Sequence, residues 1–395
     1  MKRDLPIRAA LALFGPLAVL TTAWNASAAP CSAETTPIYI TGSSAVKPFV
    51  VALGKELAAA NPKVTLVYQG QGSCNGPDAI VNGTKMTGTA SHWDTAGMEI
   101  TCELDIAGTL ADVGVSDVYA TSCPGFASLP ADVGDFYGPI QVMNFVVPIA
   151  SSQVSFSAEA AYFVYGFGGA AGQVAPWSND AFIFHRPPTS GTQQMISKAI
   201  TVPANQWKGT ELAKSGDILT AVSTSTDPEA TIGILASDVA DANRDKVKIL
   251  AYQHFKQKCA YWPDTNATSF DKISVREGTY PIWGPLHMFA KVDATKKPTN
   301  PDAAKFIGYF TGDVKPPANV NLMDLEITSH TVPACAMKVQ RTTELGDTTP
   351  YTPKEPCGCY FESKANGSTK CDACAMDTDC TGSAKHCRFG YCEAN

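Results

Sequence analysis

Long apolar runs are almost absent from this chain of 395 residues: beyond Leu20 no stretch is apolar enough for long enough to cross a bilayer as a helix. The mature protein is therefore expected to carry no transmembrane segment. Positive charge is also scarce. Lys and Arg number 30 against 37 Asp and Glu, a formal net charge of −7, which argues against nucleic acid or acidic membranes as partners. A small anion is not excluded, because it responds to its local site more than to distant surface charge. The six histidines (His92, His185, His254, His287, His330 and His386) show no metal-ligand spacing such as His-Glu-x-x-His. No metal and no cofactor are expected. Ser190 lacks a surrounding Gly-x-Ser-x-Gly and an evident acid–base partner, so no catalytic residue is expected and hydrolysis ranks behind binding. No internal repeat is present.

What the chain does have begins at its N-terminus. Lys2 and Arg3 precede an apolar run from Ala9 to Leu20, and Ala26-Ser27-Ala28 supplies the small residues of a cleavage site. Residues 1–28 thus read as a secretory signal peptide, and the product as periplasmic or secreted. Cleavage removes three of the 30 basic residues (Lys2, Arg3, Arg8) and one of the 37 acidic ones (Asp4), taking the net charge from −7 to −9. Pro30 before Cys31 fits a lipoprotein signal poorly. The 13 cysteines of an exported chain point to disulfides, with one thiol left over or paired between chains. Seven of them crowd residues 357–395, a segment too small and polar to bury a core without such staples. Residues 341–356, rich in Thr, Pro and charge, read as a linker.

From Pro37 the pattern alternates strand and helix. Ile38–Ile40 is apolar, and helical spacing follows at Val46, Phe49, Val50, Leu53 and Leu57. Val64–Tyr68 and Ala111–Val115 read as strands, Pro77–Asn82 as a short helix, and residues 84–109 as a polar, turn-rich insertion. Ile140–Ile149 suits a strand crossing between lobes, and Tyr280–Val292 a strand returning. Ala181–Phe184 and Thr231–Leu235 read as further strands, Pro301–Phe310 as a late helix. Such alternation predicts a parallel α/β sheet, whose ligands bind beyond the carboxyl ends of strands.

Four turns in those positions share one chemistry: Thr41-Gly42-Ser43-Ser44-Ala45, Gln71-Gly72-Ser73, Ser116-Asp117, and Arg186 with Ser190-Gly191-Thr192. Hydroxyls, backbone N–H groups at helix starts and a planar guanidinium are what an oxyanion needs. The set resembles the phosphate-binding proteins of ABC-type phosphate uptake systems, a branch of the periplasmic solute-binding superfamily, over residues 36–335. That resemblance implies a two-lobed, type II periplasmic-binding-protein fold with hinge strands, followed here by a small disulfide-rich C-terminal module. Lobe 1 would span 36–145 and 283–340, and lobe 2 would span 146–282. It further implies phosphate as ligand, an ABC permease as partner, a monomer, and a site built from Ser44, the N–H of Ala45, Ser73, Asp117, Arg186, Ser190, Gly191 and Thr192. The chain departs from the family in a longer segment between Ser73 and Asp117, and in Cys74 and Asn75 where small residues are common.

Asp117 is the informative member. A carboxylate repels an anion unless that anion keeps a proton to donate. Phosphate near neutral pH does so, whereas sulfate would set two acceptors face to face. Selection of phosphate over sulfate is the expectation. A secreted adhesive, matrix or sensor protein that reuses the fold and attaches through its Cys-rich tail is the alternative.

Overall fold

Gly42 closes the first strand in a conformation that other residues rarely adopt, with φ of +133°, and a Cβ there would lie 1.9 Å from the Val115 carbonyl oxygen. The chain can therefore turn directly against a neighbouring strand at that point. The structure, a computed structural model, describes residues 28–394; the proposed signal peptide lies outside the described residues except for Ala28.

The first lobe begins with β1 (Pro37–Gly42), α1 (Lys47–Ala58), β2 (Thr65–Gly70), α2 (Asn75–Val81), β3 (Thr89–Trp93), β4 (Glu99–Glu103) and β5 (Val113–Ser116). β1 lies parallel to both β2 and β5 and is buried between them. Phe49, Val50, Leu53 and Leu57 recur on one face of α1 and are buried there, while Pro48 sits in its first turn, where no backbone donor is lost. Residues 84–109 correct the expectation of an irregular insertion. They hold β3 and β4, an antiparallel pair that extends the sheet, and Cys102 on β4 is bonded to Cys31.

β6 (Val133–Pro148) is 16 residues long and belongs to both lobes. The second lobe follows with β7 (Ser155–Ser157), α3 (Ala158–Phe167), α4 (Gly169–Gly172), β8 (Phe184–His185), α5 (Gly191–Ile200), β9 (Thr210–Glu211), α6 (Ser215–Ser223), β10 (Gly233–Ala236), α7 (Ser237–Asp241), β11 (Val247–Ile249), β12 (Ala251–Gln253) and α8 (Ile273–Arg276). The strand read over Ala181–Phe184 starts later than expected: a 3-10 turn occupies Asp180–Phe182, Ile183 is extended and bridges to Ile232, and β8 itself is Phe184–His185. β13 (Trp283–Lys291) then returns, followed by α9 (Pro301–Thr311) and α10 (Leu322–Thr328).

The sheet order is β10-β6-β13-β5-β1-β2-β3-β4, with β11 also on β6. The first half of β6 pairs with β13, and its second half with β10 and β11. Each lobe has its own core. Ile38, Ile40, Phe49, Leu66, Val115 and Phe306 pack in the first; Phe145, Phe156, Tyr165, Ile196, Tyr252 and Tyr280 pack in the second. No helix among the described residues is long and apolar enough to cross a membrane.

The C-terminal part comprises β14 (Val339–Gln340), β15 (Thr349–Pro350), α11 (Gly358–Asn366), β16 (His386–Arg388) and β17 (Tyr391–Glu393). Within 341–356, the segment read as a linker, Arg341 and Glu344 are buried, and β15 pairs with β14. The module is stapled by Cys359–Cys371, Cys374–Cys387 and Cys380–Cys392, and Cys335–Cys357 joins it to the body. Cys357 and Phe361 belong to the second lobe's core, so the module is built into the body. With Cys74–Cys123, six disulfides leave only Cys259 free, and that thiol is exposed. Such a cysteine pattern fits an oxidising, extracytoplasmic compartment.

Candidate functional site

Three first-lobe turns meet at one buried carboxylate. Asp117 lies directly after β5, and its Oδ2 accepts the Ser43 hydroxyl at 2.5 Å and the Ser73 hydroxyl at 2.8 Å. Ser43 reaches it because Gly42 has turned the chain onto β5, where the Ser43 N–H donates to the Val115 carbonyl at 2.9 Å. The Ser43 Oγ in turn accepts the N–H groups of Ala45 and Val46, at 3.1 and 3.3 Å. Ser73 is held from the other side, its Oγ accepting the Asp117 N–H at 3.3 Å. The remaining oxygen of Asp117, Oδ1, is buried and has no protein partner.

The second lobe closes on this group. Ser190 caps α5, with its Oγ accepting the Gln193 N–H at 3.5 Å, and Gly191 opens the helix directly over the first-lobe pair. A Cβ on Gly191 would stand 2.3 Å from Ser73 Oγ and 2.9 Å from Asp117 Oδ2. The Cys74 N–H also donates across the seam to the Thr189 carbonyl at 3.1 Å. Arg186 is buried, donating from Nη1 to Ser215 Oγ at 2.6 Å and from Nη2 to the Ala213 carbonyl at 2.8 Å and Ser44 Oγ at 3.0 Å. Its Nε and the Thr192 hydroxyl are buried without a protein partner. A cavity of about 570 Å³ opens beside this seam, lined by Ser44, Lys47 and Tyr68 of one lobe and Ser215, Asp217 and Val239 of the other.

The electrostatics are unusual for a site with one buried guanidinium. Burial lowers the Arg186 pKa to about 10, against the opposing pull of Asp117 and Asp217. Burial raises the Asp117 carboxyl; hydrogen bonds from Ser43 and Ser73 and the charges of Arg186 and His287 oppose it. A second carboxyl, Asp238 in the first turn of α7, is fully buried with Oδ2 unpartnered. Burial pushes it well above the ordinary range, and the charge of Asp117 adds to the shift. Tyr68, whose hydroxyl donates to the Ser43 carbonyl, is raised first by burial and then by Asp117 and Asp238.

The Asp238 shift makes stability depend on pH. A carboxyl raised in the folded state contributes stability that is fully present below its unfolded pKa of about 3.9 and is lost as pH rises through the folded value. At neutral pH and above, Asp238 therefore costs stability. Asp238→Asn is expected to raise the melting temperature at pH 8 by about 2 °C per kcal/mol recovered, with the gain fading toward pH 4. Thermal scans of both proteins across that range check it; equal gain at every pH would remove the assigned cause.

The structure thus brings Ser73, Asp117 and Gly191 into direct contact, joins Ser44 to Arg186, and places Ser190 and Thr192 at the start of the same helix. The Ala45 N–H is turned onto Ser43 Oγ. Sequence reasoning missed Ser43, Ser215 and Asp238. Ser43 was visible as half of a Ser-Ser pair; nothing local marks Ser215 or Asp238, since Ser and Asp are ordinary in a helix's first turn.

No family model matches this chain, and no curated protein matches it in sequence. Solved structures do match in shape. A substrate-binding protein from Clostridium perfringens, solved with bound phosphate, superposes with a TM-score of 0.52 at 13% identity, over 76% of this chain and 100% of that one. An ABC-type phosphate transport receptor from Vibrio cholerae gives 0.50 at 15% identity, over 75% and 99%. The chain has the two-lobed, type II periplasmic-binding-protein fold, with hinge strands and a disulfide-rich C-terminal module in addition.

Proposed function

We propose that this protein is an extracytoplasmic solute-binding protein that captures inorganic phosphate between its lobes without transforming it. Delivery to an ABC-type permease, by a monomer, completes the reading. The observation that carries it is the state of Asp117. The oxygen nearest the second lobe's helix start is saturated by two serine hydroxyls, and the other is buried and unpartnered. Buried polar atoms are nearly always paired, so a free acceptor here, with Arg186 Nε and the Thr192 hydroxyl as free donors, calls for a ligand that offers both. A protonated oxyanion does: its O–H would meet Asp117 while its other oxygens take the donors of Arg186, Ser44, Ser190, Gly191 and Thr192.

Both structural neighbours are named for phosphate, and in each the match covers nearly the whole of that chain, which supports the same ligand class. The packing of Cys357 and Phe361 into the second lobe supports a stapling role for the Cys-rich module over surface attachment.

Titration of the mature protein with phosphate, arsenate and sulfate, followed by calorimetry and tryptophan fluorescence, tests this. Phosphate and arsenate are expected to bind and sulfate not. Asp117→Asn, which turns the acceptor into an amide able to donate, is expected to raise sulfate affinity by roughly 10- to 100-fold, the range of one charged hydrogen bond. No response to any oxyanion overturns the function. Equal affinity of the wild-type protein for phosphate and sulfate overturns the role of Asp117 alone.

A further inference from the structure

β14 and β15 form a hairpin whose base is closed by Cys335–Cys357, and whose tip carries two buried charged side chains, Arg341 and Glu344. These meet the stretch that follows Asp117. Glu344 Oε2 accepts the Tyr119 N–H at 3.2 Å and the Ser122 hydroxyl at 3.4 Å. The Tyr119 hydroxyl donates to the Arg341 carbonyl at 2.8 Å. Arg341 is itself anchored, its guanidinium 3.9 Å from the centre of the Trp283 ring and its Nη1 donating to the Pro281 carbonyl at 3.0 Å.

The stretch so gripped runs from Asp117 to Cys123, and Cys123 is bonded to Cys74, the neighbour of Ser73. Both carriers of the first-lobe site are therefore tied to one short segment. Glu344 also stands close behind Asp117. A Cβ added to Gly284 would lie 3.5 Å from the Asp117 carbonyl oxygen and 3.6 Å from Glu344 Oε1.

We infer that Glu344 is a positioning residue for the anion site: through Tyr119 and Ser122 the C-terminal hairpin holds Asp117 at the depth where it discriminates among oxyanions. This rests on the reading of the interlobe site as a phosphate site. Without the Glu344 carboxylate, a buried N–H and a buried hydroxyl lose their acceptor and must move to find another. That movement displaces Asp117, while Arg186, Ser44 and the start of α5 keep their places on other elements. Attraction for anions in general then survives better than the choice between them.

The test compares Glu344→Ala, Glu344→Gln and, as control, Glu355→Gln at an exposed position of the same segment. Glu344→Ala is expected to lower the ratio of phosphate to sulfate affinity by roughly tenfold, the scale of one lost charge-assisted hydrogen bond. Glu344→Gln keeps one weaker acceptor, for a drop of about threefold, and Glu355→Gln matches wild type. Hydrogen exchange at the Tyr119 amide should accelerate in the Ala variant while β1 and β2 stay protected. A folded Ala variant with the wild-type ratio and wild-type Tyr119 exchange overturns the inference; if Ala does not fold, the same result in Glu344→Gln does. If wild-type protein binds no phosphate, the proposed function fails, and Tyr119 exchange alone then decides whether Glu344 positions this loop.

Discussion

Gly191→Ala is expected to weaken phosphate binding by roughly 10- to 100-fold, a cost of the size seen when a packed contact is overfilled. The added methyl would sit 2.3 Å from Ser73 Oγ and 2.9 Å from Asp117 Oδ2. Neither atom can retreat freely, because Ser73 donates to that same Asp117 oxygen, which also holds Ser43. The lobes must part instead, and every donor on α5 moves away from the first-lobe turns. Gly216→Ala is the matched control. It lies in the first turn of α6 with nothing within 4 Å of where the methyl would stand, so it should leave affinity unchanged and add up to about 1 kcal/mol of stability. Calorimetric titration of both variants separates a steric effect at the seam from a general effect of losing glycine. Wild-type affinity in Gly191→Ala would mean that the ligand-bound lobes are not in contact there.

Arg186→Ala should abolish measurable phosphate binding, a loss of at least roughly 30-fold, because truncating one partner of a buried, hydrogen-bonded charge pair costs about 2–5 kcal/mol or more. Its guanidinium is the buried cation that acts electrostatically on Asp117 across the seam. It also holds Ser44 and Ser215 in place. Arg186→Lys should recover little, since an ammonium has no planar fork to span those partners and a ligand oxygen together. The melting temperature of the unliganded Ala variant should fall far less than affinity does, because burial already works against the charged guanidinium. Retained phosphate binding in Arg186→Ala, measured by the same titration, would remove the second lobe's charge from the site.

Much of this was legible in the residues. Turn signals after short apolar runs are local, so Gly42-Ser43-Ser44, Gly72-Ser73 and Ser190-Gly191 could be placed at strand ends and helix starts from composition and spacing alone. The β-rich run Ile140–Ile149 likewise declared a strand crossing between lobes, although β6 begins earlier, at Val133. The choice between Ser43 and Ser44 was not local. It depends on how Gly42 lies against Val115, a strand supplied much later in the chain. Asp238 and Glu344 were illegible for the same reason, because their meaning comes from what packs against them. The β3–β4 pair was hidden by its polarity: in β4 the alternation of Glu99, Thr101 and Glu103 with Ile100 and Cys102 spans just five residues and offers two apolar positions, too short a signal to stand out from a turn-rich stretch.

The sheet order carries a consequence for biogenesis. β13 lies between β6 and β5, although residues 149–282, which hold nearly all of the second lobe, separate it from the end of β6. A chain emerging N-terminus first would present β5 and β6 with open edges until residues 283–291 arrive. The first lobe is begun first and finished late, so its folding must wait for most of the chain to emerge. Until then, its unpaired edges are the part of the molecule most in need of protection from association with other chains.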